Sequence, residues 1–173
     1  MAEAGDDLAG EARLINAMAP RAARILDAGC GTGRVGGFLA EAGHEVVGVD
    51  LDPELIEEAQ RERPGSTWLV DDLATLDLPE RGIDEGFDLI VCAGNVVTFL
   101  APSTREAVLD GFRRHLRDGG RAVVGFGRGR GYDVEEFLAD ARTVGLTAEV
   151  LLASWDLRPH HPDADFLVAI LRG

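Results

Sequence analysis

The stretch Ile25-Leu-Asp-Ala-Gly-Cys-Gly-Thr-Gly-Arg34 decides the fold of this chain. A short aliphatic run leads straight into three glycines at alternate positions, and residues typical of a helix follow. Glycines at such a turn let the backbone reverse tightly and let a ligand approach the main chain closely. The stretch therefore predicts a strand, a ligand-binding turn and a helix in direct succession.

Strand-like and helix-like segments alternate through the rest of the chain. Runs of β-branched and aliphatic residues predict strands at 24–26, 46–49, 67–70, 87–92, 122–126, 148–152 and 166–171. The first five are almost continuously apolar, as strands buried on both faces of a parallel sheet are. Too few residues separate the last two for a helical crossover, so these should pair antiparallel as a hairpin. The expected architecture is α/β, a doubly wound sheet with helices on both faces.

Capping residues mark the starts of several predicted helices. Asp52 before a proline is typical of a capped first turn. Residues 103–106 (Ser-Thr-Arg-Glu) have the pattern of a capping box, for a helix expected to end before Gly119. A weaker amphipathic pattern from Leu8 to Met18 predicts a helix within residues 1–20, which is the candidate cover over the ligand site.

Composition and charge limit the class of protein. With 173 residues, 46% hydrophobic and 28% charged, the chain should form one soluble domain, residues 1–173. Its net charge of −14 argues against a nucleic acid partner, since phosphate backbones are bound mainly by Lys and Arg. No apolar run reaches the roughly 20 residues that cross a bilayer, so no membrane partner is expected. The sequence leaves open whether the chain forms a homodimer.

The cysteine pattern and the first residues bear on the compartment. Cys30 and Cys92 form neither a disulfide framework nor a metal-ligand pattern. The first seven residues lack the basic-then-apolar order of a secretory signal. We therefore expect a cytoplasmic protein without a metal site.

Acidic residues follow or end the first three predicted strands. Asp50 closes the second strand, where a carboxylate can accept both hydroxyls of a ribose. Asp71 and Asp72 close the third, where a carboxylate or backbone group can reach an adenine amino group. Ligands of open α/β sheets lie outside the carboxyl ends of the strands, so these acids and the glycine turn should share one edge. The alternative for Asp50 and Asp27 is that each carboxylate only caps backbone N–H groups or orients the glycine turn.

At these residues the chain resembles the class I methyltransferases that depend on S-adenosylmethionine (SAM). Residues 27–33 match the first motif of that family, Asp50 its ribose-binding acid, and Asp72-Leu73 its adenine-contacting pair, with a shift to Asp71 left open. Residues 87–95 resemble the fourth motif, and the resemblance spans about residues 22–171. It implies a Rossmann-like seven-stranded sheet of order 3-2-1-4-5-7-6 with the seventh strand antiparallel. It also implies a SAM-binding set: Asp27, Gly29, Cys30, Gly31, Gly33, Asp50, Leu51, Asp71, Asp72, Leu73 and Ala93.

The resemblance implies transfer of the sulfonium methyl by in-line displacement. Because the sequence has no insertion long enough for a substrate-recognition lid, we expect the acceptor to be an O or N atom of a small molecule. Candidate catalytic residues lie in the loops after the later strands: Asn95, Tyr132, His160 and His161. Asn95 could equally brace its own loop, and histidines in surface loops are usually inert. Trp155 is a candidate wall of the acceptor pocket. Arg128 and Arg130 either bind a carboxylate or phosphate of the acceptor or form a solvated turn.

Two other functions compete with methyl transfer. A nicotinamide or flavin dinucleotide fold would need a third glycine of the Gly-x-Gly-x-x-Gly fingerprint at position 34, where this chain has Arg34. A module that binds the cofactor without catalysing a reaction is also consistent with the motifs, because no general base is obvious. A panel of acceptors with labelled cofactor separates the enzyme from the silent module.

Overall fold

The computed structural model describes residues 9–173, so Leu8 and the rest of residues 1–8 lie outside the described residues. The described part alternates strands and helices, as the sequence predicts. The seven strands are β1 (Arg24–Ala28), β2 (Glu45–Asp50), β3 (Thr67–Val70), β4 (Phe87–Cys92), β5 (Leu116–Gly127), β6 (Thr147–Leu152) and β7 (Phe166–Arg172). The five α-helices are α1 (Gly10–Met18), α2 (Arg34–Glu41), α3 (Pro53–Glu62), α4 (Arg105–His115) and α5 (Val134–Thr143).

The strands form one sheet of order β3-β2-β1-β4-β5-β7-β6, which confirms the expected topology. The first five strands run parallel, with β1 between β2 and β4. β7 is antiparallel to both β5 and β6, so the last two strands form the hairpin expected from their short connection. The strand order reverses at β1 and β4, where open α/β sheets bind their ligands.

Each face of the sheet buries its own apolar cluster. One cluster joins alternate residues of β4 and β5 to the apolar sides of α4 and α5, with Phe112, Phe126 and Phe137 at its centre. The other lies under α1, α2 and α3 and includes Ile15, Leu39 and Ile56 from those helices. Burial on both faces explains why the central strands are nearly continuous in apolar residues.

Of the two helix starts predicted from capping residues, one is confirmed and one is wrong. The Asp52 carboxylate accepts from the Glu54 N–H at 2.9 Å, as predicted, and caps α3. The capping box predicted at 103–106 is wrong: the Thr104 hydroxyl instead donates to the Ala101 carbonyl in a short 3-10 turn, and α4 begins at Arg105. That helix also ends earlier than expected, at His115, because the next residues already pair with β4.

The N-terminal helix α1 packs on the face that carries α2. Ala12, Leu14 and Ile15 are buried there, and Glu11 forms an ion pair with Arg34 at 3.1 Å, directly after the glycine turn. The described part of the predicted helix therefore lies beside the ligand edge. Its role as a cover stays a prediction. No helix between residues 9 and 173 combines the length and the apolar character needed to cross a bilayer.

Gly48 in β2 makes room for the indole of Trp68, its neighbour in β3. A Cβ built on Gly48 would lie 2.2 Å from Cε3 of that ring. We expect Gly48→Ala to lower the free energy of unfolding by about 1–3 kcal/mol through overpacking. Urea denaturation followed by circular dichroism measures the change.

Gly65→Ala is the matched control, because nothing lies within 4 Å of a Cβ at that turn. This control should change the free energy of unfolding by less than about 0.5 kcal/mol. Equal stabilities of the two variants would contradict the close packing of Trp68 on β2.

Candidate active site

The glycine turn after β1 adopts a backbone that needs glycine. Gly29, Gly31 and Gly33 have φ angles of +75°, +54° and +81°, and residues other than glycine rarely adopt such positive φ angles. A Cβ on Gly29 would lie 2.6 Å from the Val96 side chain, and one on Gly33 would lie 2.7 Å from Trp68. A Cβ on Gly31 would meet nothing within 4 Å. The turn is therefore packed on two sides and open at its centre, where a ligand can approach the main chain.

Asp50 fixes that turn from the end of β2. One carboxylate oxygen accepts from the Gly31 N–H at 2.9 Å, and the other accepts from the Asp52 N–H at 3.0 Å. The main chain of Gly29 and Cys30 is tied to the same strand, since both N–H groups donate to the Val49 carbonyl. The structure thus shows the capping role that the sequence left open for Asp50. Carboxylate oxygens accept more than one hydrogen bond each, so a ribose can share this group.

Asp27 lies beneath the turn. Its side chain is buried, and one oxygen accepts from the Gly36 N–H of α2 at 2.9 Å. Burial raises the pKa of Asp27 to about 7, while the Gly36 N–H lowers it by a smaller amount. This carboxylate ties the first turn of α2 to β1, which is the indirect role suggested from the sequence.

A cavity of about 200 Å³ opens beside the glycine turn at the carboxyl edge of the sheet. Six of the eleven residues expected to bind SAM line it: Gly29, Asp50, Leu51, Asp71, Asp72 and Leu73. The structure therefore brings together the residues that follow three different strands. A larger cavity of about 720 Å³ lies at the opposite edge, among Arg113, Arg114 and Arg117. Those arginines form ion pairs with Asp110 and Asp88, as expected of a solvated surface.

The two carboxylates after β3 have different partners. Asp71 forms an ion pair with Arg81 at 2.6 Å and also accepts from the Asp72 N–H. The Asp72 carboxylate accepts from the Ala74 N–H at 2.9 Å and so holds the turn that follows. Which of the two contacts adenine stays a prediction.

Three residues that line this cavity were not predicted from the sequence to do so. Val96, Phe99 and Leu100 follow β4, partly in a short 3-10 helix (Val96–Phe99), and form an apolar wall opposite Leu51 and Leu73. The Phe99 side chain is 77% exposed, which is unusual for an aromatic ring. The signal was an apolar run that continues beyond the end of a predicted strand, where loops are normally polar.

The remaining expected SAM-binding residues lie outside the lining of that cavity. Cys30 and Ala93 are 8% and 9% exposed and belong to the apolar cluster under α2. Burial raises the pKa of the Cys30 thiol, so it is a poor nucleophile and packs as a small apolar residue. Gly31 and Gly33 contribute main chain only.

The catalytic candidates after β4 and β5 have structural roles. The Asn95 side-chain oxygen accepts from the Gly127 N–H at 2.7 Å, so it braces the end of β4 against the end of β5. Tyr132 does not lie in an open loop as expected. It is 1% exposed, packs against Phe126 and Phe137, and donates its hydroxyl hydrogen to Asp140. Burial, then the hydrogen bond to Asp140, raises the pKa of the Tyr132 hydroxyl, which disfavours the phenolate that a general base would need.

The histidine candidates lie at the outer edge of the sheet. The His160 main-chain N–H donates to the Leu151 carbonyl of β6, and Pro159 forms an antiparallel bridge with Leu152. Four strand spacings separate this segment from β4, which corresponds to roughly 19 Å. The pKa of His160 is lowered by burial and then by Arg128, and His161 is exposed next to it. The structure does not bring either ring to the glycine turn.

Metal ligands do not cluster in the described part of the chain. Within residues 9–173 no group of three or more His, Cys, Asp or Glu side chains could hold a metal ion. The described lining of the cavity beside the glycine turn consists of main chain, carboxylates and apolar side chains.

The fold and the carboxyl-edge site together define the class: they have the topology and motif placement of the class I SAM-dependent methyltransferases. A family model described as a methyltransferase domain matches residues 25–120. The chain belongs to this family. That membership confirms the family, the enzyme class and the cofactor that the sequence motifs implied.

Individual relatives support the assignment. A TehB-like SAM-dependent methyltransferase from Corynebacterium glutamicum has 51% identity to this chain and a TM-score of 0.91, covering 97% of this chain and 89% of that one. The cypemycin N-terminal methyltransferase of a Streptomyces species has 36% identity over 104 residues, 58% of this chain and 40% of that protein. A malonyl-[acyl-carrier protein] O-methyltransferase of Enterobacter lignolyticus has 32% identity over 102 residues, 59% of this chain and 38% of that protein. The matched region thus spans about 40% of the length of these two curated relatives.

Asp27→Asn should make the free energy of unfolding less dependent on pH. Because the pKa of Asp27 is about 7 in the folded chain and 3.8 ordinarily, the folded chain holds this proton more tightly than the unfolded chain. Stability from this group is full below about pH 4 and is lost as the pH rises to about 7, at no more than ~1.4 kcal/mol per pH unit. The asparagine variant lacks this loss.

Urea denaturation of both proteins at pH 5, 6, 7 and 8 measures the difference. The stability of the variant relative to the wild type should rise with pH up to about 7 and then level off. A difference that stays constant across the series would show that Asp27 has an ordinary pKa.

Proposed function

We propose that this chain transfers the methyl group of SAM to an O or N atom of a small molecule by in-line displacement. The observation that carries the proposal is the glycine turn held open at Gly31 by the Asp50 carboxylate, beside a cavity with an apolar wall. The cavity lies at the carboxyl edge next to the point where the strand order reverses. We further propose one domain over residues 1–173, located in the cytoplasm.

The residues present fit SAM in its three parts. The open main chain at Gly31 suits the amino-acid tail, because nothing in residues 9–173 lies within 4 Å of a Cβ built there. The Asp50 carboxylate suits the ribose hydroxyls, and the apolar side chains of Leu73, Val96 and Phe99 suit a flat adenine ring. When bound, SAM supplies an activated methyl on a sulfonium and leaves as a neutral thioether.

The contribution of the chain to the rate is then alignment in a site shielded from water. Asn95 fixes the distance between the ends of β4 and β5, so the loops that face the acceptor keep one arrangement. The S–CH₃ bond breaks as the O–CH₃ or N–CH₃ bond forms, and the acceptor releases its proton to solvent. A general base is needed only for an acceptor that cannot lose this proton unaided.

The acceptor is proposed to be small because no long insertion forms a platform for a macromolecule in the described chain. The relatives bear names with different acceptors, an N-terminus and a malonyl group on acyl carrier protein. Those names support methyl transfer without choosing among acceptors. The net charge of −14 continues to argue against nucleic acid, and a homodimer remains open.

A silent cofactor-binding module is the second candidate function. One observation favours it: none of the four catalytic candidates within residues 9–173 is a ready general base. Asn95 braces β4 against β5, Tyr132 is buried, and His160 and His161 lie far from the glycine turn. Radiolabelled SAM with a panel of small phenols, amines and carboxylic acids decides between the two. Turnover of any acceptor supports the enzyme, whereas binding of the labelled cofactor without product would contradict it.

Asp50→Ala should weaken the binding of S-adenosylhomocysteine by about 1.5–3 kcal/mol, the cost of a lost charge-assisted hydrogen bond in a shielded site. Part of the loss comes from the glycine turn, which no longer has its acceptor for the Gly31 N–H. Isothermal titration calorimetry measures the dissociation constant.

Asp52→Ala is the control, since this neighbouring acid caps α3 through Glu54 and does not line the cavity. It should lower the free energy of unfolding by about 1 kcal/mol and leave the dissociation constant unchanged. An Asp50 variant that binds as tightly as the wild type would remove Asp50 from the site. Thermal-shift measurements that compare NAD with S-adenosylhomocysteine test the dinucleotide alternative, because only a ligand that binds the folded chain raises the melting temperature.

A further inference from the structure

The end of β5 is shaped by two glycines on one face of the sheet. Gly125 and Gly127 point to the same side as Val123, because side chains alternate along a strand. That side carries α1 and α2 and the apolar cluster beneath them. The missing side chains leave space directly beside the end of β4, where Asn95 contacts the Gly127 N–H.

Two side chains from other parts of the chain occupy that space. The indole of Trp155 lies over Gly125, with Cζ2 2.3 Å from the position of a Cβ there. Arg130 turns back over Gly127, with its Nε 3.2 Å from the corresponding position. The two positions are separated by roughly 7 Å along the strand. Phe166, which pairs with Gly127 in the antiparallel register, contacts Trp155 with ring centroids 6.4 Å apart.

A cavity of about 230 Å³ continues from this aromatic wall toward α1. Its lining consists of Gly10, Arg13, Leu14, Ala17, Trp155, Asp156 and Leu157. The Leu157 side chain is 62% exposed there, which leaves apolar surface facing the space. A flat apolar group can therefore rest between α1 and Trp155, with Arg130 two positions further along β5, over Gly127.

Arg130 has a free guanidinium within the described chain. All 17 basic residues of this protein are arginines. Most are used: ion pairs to carboxylates are made by Arg24, Arg34, Arg61, Arg81, Arg105, Arg113, Arg114, Arg117, Arg158 and Arg172. Among residues 9–173, Arg130 has neither an ion pair nor a side-chain hydrogen bond. In a protein with net charge −14, a cation left unpaired at the site edge is open to an anion from solution.

The loop that carries Arg130 is held in place by the buried Arg105 of α4. One Arg105 nitrogen donates to the Gly131 carbonyl at 2.8 Å, a second pairs with Glu136, and the guanidinium lies 3.9 Å from the ring centroid of Tyr132. The Arg128 main-chain N–H donates to the Asp165 carbonyl at 2.8 Å on the other side of the loop. The main chain on both sides of Arg130 is thus held by other elements, which fixes where its side chain leaves the loop.

Arg128 differs from Arg130 in its surroundings. It lines a surface depression together with Asp133, Glu135 and Glu136 at the start of α5. Of the two arginines that the sequence offered as anion ligands, only Arg130 is directed to the end of β4.

We propose that Arg130 binds an anionic group of the methyl acceptor, and that the acceptor is a small acid with a flat apolar body resting against Trp155. The inference rests on the proposed function, because it takes the glycine turn at β1 as the cofactor side and the end of β5 as the acceptor side. Gly29 contacts Val96, Asn95 precedes Val96, and Asn95 contacts Gly127, so the two sides adjoin directly.

The test uses the full chain saturated with S-adenosylhomocysteine and compares 4-hydroxybenzoate with the neutral 4-hydroxybenzamide by calorimetry at fixed ionic strength. The wild type should bind the acid about two- to fivefold more tightly than the amide, as for one ion pair at an exposed guanidinium. Arg130→Gln should reduce this ratio to about one, and Arg130→Lys should restore part of it.

Arg142→Gln is the matched control, because it removes the same charge from an exposed position in the last turn of α5. This variant should keep the wild-type ratio and the affinity for S-adenosylhomocysteine. Failure of the wild type to prefer the acid, or an equal ratio in Arg130→Gln, overturns the inference while leaving the cofactor site intact. Failure to bind S-adenosylhomocysteine at all instead overturns the proposed function.

Discussion

The hydrogen bond from the Gly31 N–H to the Asp50 carboxylate joins the two strands that a nucleoside cofactor must span. Gly31 belongs to the turn after β1, and Asp50 ends β2. The second carboxylate oxygen holds the Asp52 N–H, where α3 begins. The same group that a ribose would meet is thus fixed from two elements before any ligand arrives. A ligand that binds such a preorganised group loses little free energy to ordering the protein.

The indole of Trp68 supports this arrangement from below. It lies against Gly33, Gly36 and Gly48, each of which would place a Cβ within 3.0 Å of the ring. Its Nε1–H donates to the Arg63 carbonyl at 2.7 Å, so the polar edge of the ring is satisfied inside the fold. The glycines of the loop therefore serve packing as well as ligand approach. A single aromatic side chain of β3 sets how closely the turn, α2 and β2 approach one another.

Local sequence patterns predicted the parts of the site that local chemistry determines. The glycine turn, the acid closing β2 and the cap at Asp52 each follow from a few adjacent residues, and the hairpin follows from a short connection. Tyr132 was placed in the wrong environment because its burial depends on Phe126, Phe137 and Arg105, which are distant or on another element. The capping box at 103–106 failed for a local reason, since a 3-10 turn precedes α4 and the Thr104 hydroxyl donates to the Ala101 carbonyl within it. Long-range packing therefore decides the environment of Tyr132, and no local pattern contains it.

The charges of the site separate into two regions with different consequences for catalysis. Acids lie at the ends of β1, β2 and β3, whereas the unpaired Arg130 lies beyond β5. Carboxylates attract a sulfonium most strongly before its charge is lost, so they stabilise the bound cofactor more than the transition state. Their removal should weaken affinity rather than the chemical step. If the acceptor binds beyond β5 as proposed, the rate depends on that region, where Asn95, Trp155 and the loop held by Arg105 would fix the direction from which a nucleophile reaches the methyl group.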